Sequence, residues 1–258
     1  MLRDQVVFVT GASSGIGRAC ARAFAREGAR LLIAARRLER LQQLEPELLQ
    51  LGAARVRSAA LDVRSARDVF RTVQDLPQDW KAIEILVNNA GLSRGLGPLA
   101  EGRLEDWNEM IDTNVKGLLH VDRAVLPGML ERQQGTVIHI GSIAGHQAYP
   151  GGNVYCASKA AVRSLTQALR LDLGGTGVRV STIDPGMVET EFSEVRFHGD
   201  QRRAKEVYRG TRPLTAEDVA EVVLFAATRP AHVALAEVLL LPTAQASATQ
   251  IHRQRRSS

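Results

Sequence analysis

The sequence predicts a doubly wound α/β domain, with a mostly parallel seven-stranded sheet and helices on both faces. Three observations lead there. Short β-branched and leucine-rich runs alternate with longer helical patterns from one end of the 258 residues to the other. The strands are apolar on both faces, as strands covered by helices on each side must be. The first strand runs directly into a glycine-rich turn that opens a helix.

The strands expected in order are QVVFVT (5–10), ARLLIAA (29–35), VRSAALDV (56–63), IEILVNN (83–89), GTVIHIG (135–141), VRVSTIDP (178–185) and EVLLLPT (237–243). Helices are expected near 16–27, 38–50, 65–75, 104–132, 153–172 and 215–228. Gly28 and Gly52 stop the first two, Ser65 caps the third, and Thr215 with Asp218 has the pattern of a capping box. In such a sheet a ligand binds at the carboxyl ends of the strands.

A composition 45% hydrophobic suits a globular core, and no linker, repeat or low-complexity block divides the chain. The expectation is a single Rossmann-type domain over 1–250, with a lid at about 190–212 and a basic tail at 251–258. The start, MLRDQVVFVTGA, lacks a signal-peptide core, and no segment approaches the roughly 18 apolar residues of a membrane span. A cytoplasmic protein with no membrane partner is expected. Cys20 and Cys156 fall inside helices and make no disulfide framework. The net charge of +5 raises the alternative of a nucleic-acid binder. The basic residues, nearly all arginine, are interspersed with acids rather than gathered in a stripe, which favours a solvated surface and no nucleic-acid partner. The six histidines show no ligand spacing, so no metal is expected.

The turn TGASSGIG places Gly11, Ser13, Ser14, Gly15, Ile16 and Gly17 between strand and helix. Glycines let backbone N–H groups close on a pyrophosphate, which then sits on the positive end of the helix. The second strand should end beside an adenosine ribose, where a carboxylate selects NAD. Here Ala35 is followed by Arg36 and Arg37. Guanidinium groups suit a 2′-phosphate, so NADP is the expected cofactor; the alternative is that both arginines belong to a solvated first turn.

NVYCASKAAVRSLTQALR sets Tyr155 and Lys159 one turn apart on one helix face. Oxidising an alcohol requires a base beside the hydroxyl. A free tyrosine, titrating near pH ~10, becomes one when a cation favours its phenolate. Ser142, just past the fifth strand, can hydrogen-bond the reacting oxygen.

With TGASSGIG, NNAG at 88–91, Asn114, Ser142, Tyr155-x-x-x-Lys159 and DPGMVET at 184–190 in that order, the chain resembles the short-chain dehydrogenase/reductases over nearly its whole length. ILVNNAGLSRG, WNEMIDTNVKGLL, RAVLPGMLER, YPGGNVY, TEFSEVRFHGD, TAEDVAE and PAHV are similar to one branch, the NADP-dependent 3-hydroxy acid dehydrogenases, which includes L-allo-threonine and serine dehydrogenases. The resemblance implies a homotetramer and hydride transfer at the nicotinamide. It implies that Lys159 also binds the nicotinamide ribose and that Asn114 holds a water relaying protons from Lys159. It further implies that Asp62 and Val63 meet the adenine, Asn89, Ala90 and Gly91 the ribose, and Pro185, Gly186, Val188 and Thr190 the nicotinamide amide. Asp62 read alone could equally be a strand-end acid.

A short 3-hydroxy acid, such as L-allo-threonine, L-serine or 3-hydroxypropionate, needs a cation near Ser142 and Tyr155. Arg196 is the expected anchor, with a lid salt bridge as its alternative role, and His146 and Gln147 are expected to line the same pocket. The competing expectations are a 3-oxoacyl thioester reductase and a dinucleotide-binding interaction protein without turnover.

Overall fold

The computed structural model describes residues 2–254. Seven strands form one parallel sheet: β1 (Val6–Thr10), β2 (Arg30–Ala35), β3 (Arg55–Ala60), β4 (Ile83–Asn88), β5 (Gly135–Ile140), β6 (Val178–Pro185) and β7 (Glu237–Leu240). Their order is β3-β2-β1-β4-β5-β6-β7. From β1 the chain winds outward to β3, then crosses back to β4 and winds the other way. The loops leaving β1 and β4 therefore diverge and open a crevice at their carboxyl ends.

The α-helices are α1 (Gly15–Arg26), α2 (Leu38–Gln50), α3 (Ala66–Gln74), α4 (Leu104–Ile111), α5 (Leu118–Glu131), α6 (Asn153–Asp172), α7 (Phe192–Arg196), α8 (Gln201–Glu206) and α9 (Ala216–Ala227). Because strand side chains alternate, neighbouring residues feed different cores. Val7, Val9 and Ile33 pack with Phe24, Leu41 and Val223 on one face. Phe8, Leu32 and Val137 pack with Val121, Val125 and Met129 on the other. Burying each such side chain is worth roughly 1.5–3 kcal/mol, so both faces hold the sheet rigid under the crevice. The expected caps form: Ser65 Oγ accepts from Asp68 N, and Thr215 and Asp218 cap each other reciprocally. Gly28 and Gly52 follow their helices at φ 80° and 112°.

The helical run expected over 104–132 is interrupted. Residues Asp112–Gly117 form a π-helical turn, in which the Asn114 amide bonds both the N–H and the carbonyl of Leu92, each at 2.8 Å. β7 ends at Leu240, not 243, where its carbonyl accepts the last bond of the ladder, from Gly186 N at 2.8 Å just past the end of β6. β3 ends at Ala60, so Asp62 and Val63 stand in the turn after it. Within the lid lie α7 and α8, too short to show periodicity in sequence. The beginning of the expected tail is folded back: Ile251 bridges Gln245, and Gln254 N donates to the Gly210 carbonyl at 2.8 Å. The rest of that tail, 255–258, lies outside the described residues. Among the described residues no helix is long and apolar enough to cross a membrane.

Candidate active site

The glycine turn after β1 is closed by Asn89, whose amide donates to the carbonyls of Thr10 (2.9 Å) and Gly11 (3.3 Å). Gly11 and Gly15 have φ of 66° and 51°, the left-handed region glycine occupies readily. A Cβ on Gly17 would stand 2.4 Å from the Gly11 carbonyl oxygen, so only glycine lets α1 start this close to β1. Ser14, the N-cap of α1, makes no capping bond, and the first turn holds no acid. The positive end of α1 thus faces the crevice uncompensated, which suits a pyrophosphate.

Arg36 and Arg37 stand at the rim, both exposed. Arg37 Nη2 lies 3.3 Å from the hydroxyls of Ser13 and Ser14. Across the rim, Glu191 of the lid takes Arg40 at 2.8 and 2.9 Å and Arg37 at 3.5 Å. Arg36 lies 3.6 Å from Glu109. With Ala35 where a ribose-binding acid would stand, guanidinium groups at this rim suit a 2′-phosphate. Asp62 is held by Arg64, Nε to Oδ1 at 2.9 Å, and that bond keeps its carboxyl below the usual range. Glu191, Arg40 and Arg64 carry no spacing signal and were not legible in the sequence.

Tyr155 and Lys159 are both buried on α6, and Ser142 follows β5. Ser142 Oγ accepts from Ala144 N at 3.1 Å, which fixes the hydroxyl at the crevice wall. Burial pushes the Tyr155 phenol well up; Tyr149 adds to this, and Arg196 and Ser142 oppose it. Burial lowers the Lys159 ammonium to about 8, against the opposing charge of Asp184. Its Nζ donates to the Ile140 carbonyl at 2.8 Å. On the open side of the phenol, the Arg196 guanidinium opposes the upward shift that burial brings. Asn114 stands behind the crevice, where its amide also donates to Ser158 Oγ at 3.0 Å. A Cβ on Gly91 would stand 3.2 Å from Asn114 Oδ1 and 3.6 Å from Lys159 Nζ, so glycine lets the three groups converge.

Of the residues expected to meet substrate, Arg196 comes to Tyr155. Its guanidinium carbon lies 5.2 Å from the centre of the Tyr155 ring and 5.3 Å from that of Phe192. Nε donates to Ser93 Oγ at 3.0 Å and Nη2 to Tyr149 Oη at 2.9 Å. Among the described residues no carboxylate pairs with it, so the alternative of a lid salt bridge is not formed. Ser93 and Tyr149 were not singled out in the sequence. His146 and Gln147 turn away from the crevice. Gln147 Oε1 accepts from Ala248 N at 3.0 Å. His146 Nε2 lies 2.8 Å from Asp184 Oδ2, and Nδ1 lies 3.5 Å from Glu237 Oε1. These three residues bring possible ligand atoms within 4.8 Å of one another, a grouping that spacing along the chain did not reveal.

A cavity of about 240 Å³ joins these parts. Gly11 to Ile16 and the Arg36–Arg37 pair bound one end, and Asp62, Val63 and Asn89 to Gly91 the middle. Ser142, Tyr155, Lys159, Pro185, Gly186, Val188 and Thr190 bound the other. The short chain dehydrogenase family profile matches residues 5–201. The chain belongs to that family. It is 48% identical over 250 residues to the NADP-dependent 3-hydroxy acid dehydrogenase YdfG of Salmonella typhi, covering 96% of this chain and 99% of the relative. It is 49% identical over 244 residues to sulfoacetaldehyde reductase 2 of Chromohalobacter salexigens, covering 94% and 96%. Among solved structures, a closed form of serine dehydrogenase complexed with NADP+ superposes with a TM-score of 0.91 at 47% identity, covering 97% of this chain and 100% of that one. The expected cofactor, NADP, is the one named in two of these three relatives.

Proposed function

We propose that the protein is an NADP-dependent oxidoreductase acting on the 3-hydroxyl, or 3-oxo group, of short 3-hydroxy acids. The observation that carries this reading is the Arg196 guanidinium, bonded among the described residues only to hydroxyls and standing over the Tyr155 ring. A half-buried guanidinium without a carboxylate partner is a receptor for a small anion. In a 3-hydroxy acid the carboxylate sits on the carbon next to the reacting one. The sulfonate of sulfoacetaldehyde has the same place relative to its carbonyl, so one cation at one distance serves both.

NADP supplies the hydride acceptor, or donor in the reverse direction. The α1 end and glycine turn hold its pyrophosphate, and Arg36 and Arg37 its 2′-phosphate. Ser142 orients the substrate oxygen and Tyr155 takes its proton, acting as general acid in the other direction. Lys159 keeps positive charge one turn below the phenol, and Asn114 braces the wall behind it. The working form is a homotetramer in the cytoplasm. Phe225 of α9 and Leu239 of the edge strand β7, 51% and 46% exposed, support association through that edge.

Initial rates decide the substrate. L-allo-threonine, L-serine and 3-hydroxypropionate with NADP are compared with a 3-oxoacyl thioester and with sulfoacetaldehyde, both with NADPH. Small anionic substrates are expected to give the higher kcat/KM, and a thioester that outperforms all of them overturns the reading.

A further inference from the structure

Behind Lys159, on the side away from the cavity, runs a ladder of ionisable groups that the proposed chemistry does not use. Lys159 and Arg163 are one turn apart on α6, continuing the face that carries Tyr155. Opposite them stand Asp184 of β6 and Glu237 of β7, with His146 between. Asp184 is 1% exposed. Its Oδ1 accepts from Thr182 Oγ1 at 2.7 Å, and its Oδ2 lies 2.8 Å from His146 Nε2. Glu237 in turn takes Arg163 Nε at 3.1 and 3.2 Å. The carboxylate of Asp184 fills the space beside Gly141, where a Cβ would fall 1.7 Å from Oδ1. Gly141 directly follows Ile140, the residue whose carbonyl holds the Lys159 ammonium.

We infer that Asp184 is the counter-charge of Lys159: a positioning residue that acts through the lysine ammonium and is itself oriented by His146. A buried carboxylate costs several kcal/mol to desolvate, and this one is held by the Thr182 hydroxyl and the His146 ring. Its field falls on Lys159, where it opposes the loss of charge that burial brings. The remaining charged neighbours are balanced locally: Glu237 by Arg163, with Arg196 on the far side of the Tyr155 ring. The sign follows. Lys159 is cationic below its pKa, so activity falls as pH rises through it, and removing the Asp184 charge moves that fall to lower pH.

This inference rests on the catalytic reading of Tyr155 and Lys159, and the experiment separates the two. The pH dependence of kcat/KM for the best acid substrate is measured at saturating NADP in D184N, H146R and H146Q. D184N is expected to move the alkaline limb down by about one unit or more, the usual size of a near-charge effect, while keeping activity at pH values where the lysine is charged in either protein. H146R sets a fixed cation against Asp184 and is expected to shift the limb the same way relative to H146Q, which supplies an uncharged donor. An unmoved limb in D184N, with activity reduced equally at every pH, overturns the inference. So does an identical limb in H146R and H146Q, and that pair decides alone if D184N does not fold. Tyr155→Phe and Lys159→Ala are run beside them. If those two variants keep activity, the catalytic reading is wrong; if they lose it and no limb moves, only the role of Asp184 is.

Discussion

Arg196→Leu removes a cation with two separable effects. In the resting site the guanidinium is fixed by Ser93 and Tyr149 at 3.0 and 2.9 Å, so it is already oriented before an anion arrives. A charge-assisted fork to a carboxylate is worth about 1.5–3 kcal/mol, and its loss should raise KM for 3-hydroxy acids roughly 10- to 150-fold. Uncharged secondary alcohols never make that contact, so their KM should change little. The second effect acts on the base. Arg196 opposes the upward shift that burial gives the Tyr155 phenol. Without it the phenol holds its proton to higher pH, and the acidic limb of the oxidation profile should move upward for charged and uncharged substrates alike. Arg196→Lys keeps the charge but not the planar fork, so it should restore the limb while leaving KM for acids raised. Steady-state kinetics over a pH series, with one acid and one neutral alcohol, reads both. An unchanged KM for acids in Arg196→Leu refutes the anchor, and an unchanged limb refutes its influence on the phenol.

NADP should be used with a kcat/KM roughly one to two powers of ten above that for NAD, the value of one charge-assisted fork at Arg36 and Arg37; equal efficiencies would remove the 2′-phosphate cradle from the argument. Tyr155→Phe should leave at most a few per cent of turnover with cofactor binding intact by fluorescence titration, and substantial residual activity would mean another group moves the proton. With L-allo-threonine the product is a 3-oxo acid, which loses CO₂ because its ketone accepts the electrons released at C2, so aminoacetone should accumulate with NADPH; NADPH without the amino ketone would point away from oxidation at C3. Burial pushes the Cys20 thiol up to about 12, so it should resist a thiol reagent at pH 8 in the folded protein and react on unfolding, and rapid labelling of native protein at Cys20 would contradict its burial.

What the sequence disclosed follows the range over which each signal acts. Strand alternation, the glycine turn and the Tyr155–Lys159 spacing are local patterns. The sheet, the wall of the cavity and the order of motifs along it were legible because each rests on residues only a few positions apart. The arrangement around Arg196 was half legible. The arginine stood out in its segment, but the hydroxyls that aim it come from positions 103 and 47 residues away, and no local pattern announces them. The same holds for His146, expected in the pocket because it follows Ser142 closely. It was drawn instead to Asp184, 38 residues on, since a buried carboxylate outcompetes an open cavity for a ring N–H. The π turn at Asn114 was invisible because the apolar period runs through it, and its cause lies in Leu92 on another segment.

The lysine shows where pattern reasoning ends. Spacing of four fixes which residues share a helix face, and it correctly sets Lys159 a turn from Tyr155. It does not fix where a four-carbon stem points. In the fold the ammonium lies against the Ile140 carbonyl at the end of β5, beside the glycine that makes room for Asp184. A buried ammonium needs acceptors for its protons, and a phenol that burial keeps protonated offers less than a strand-end carbonyl with a carboxylate behind it. On the proposed reading, Asp184 maintains the lysine charge from the far side of the sheet end. That is why substitutions at Asp184, outside the cavity lining, are expected to appear in the pH profile of the reaction.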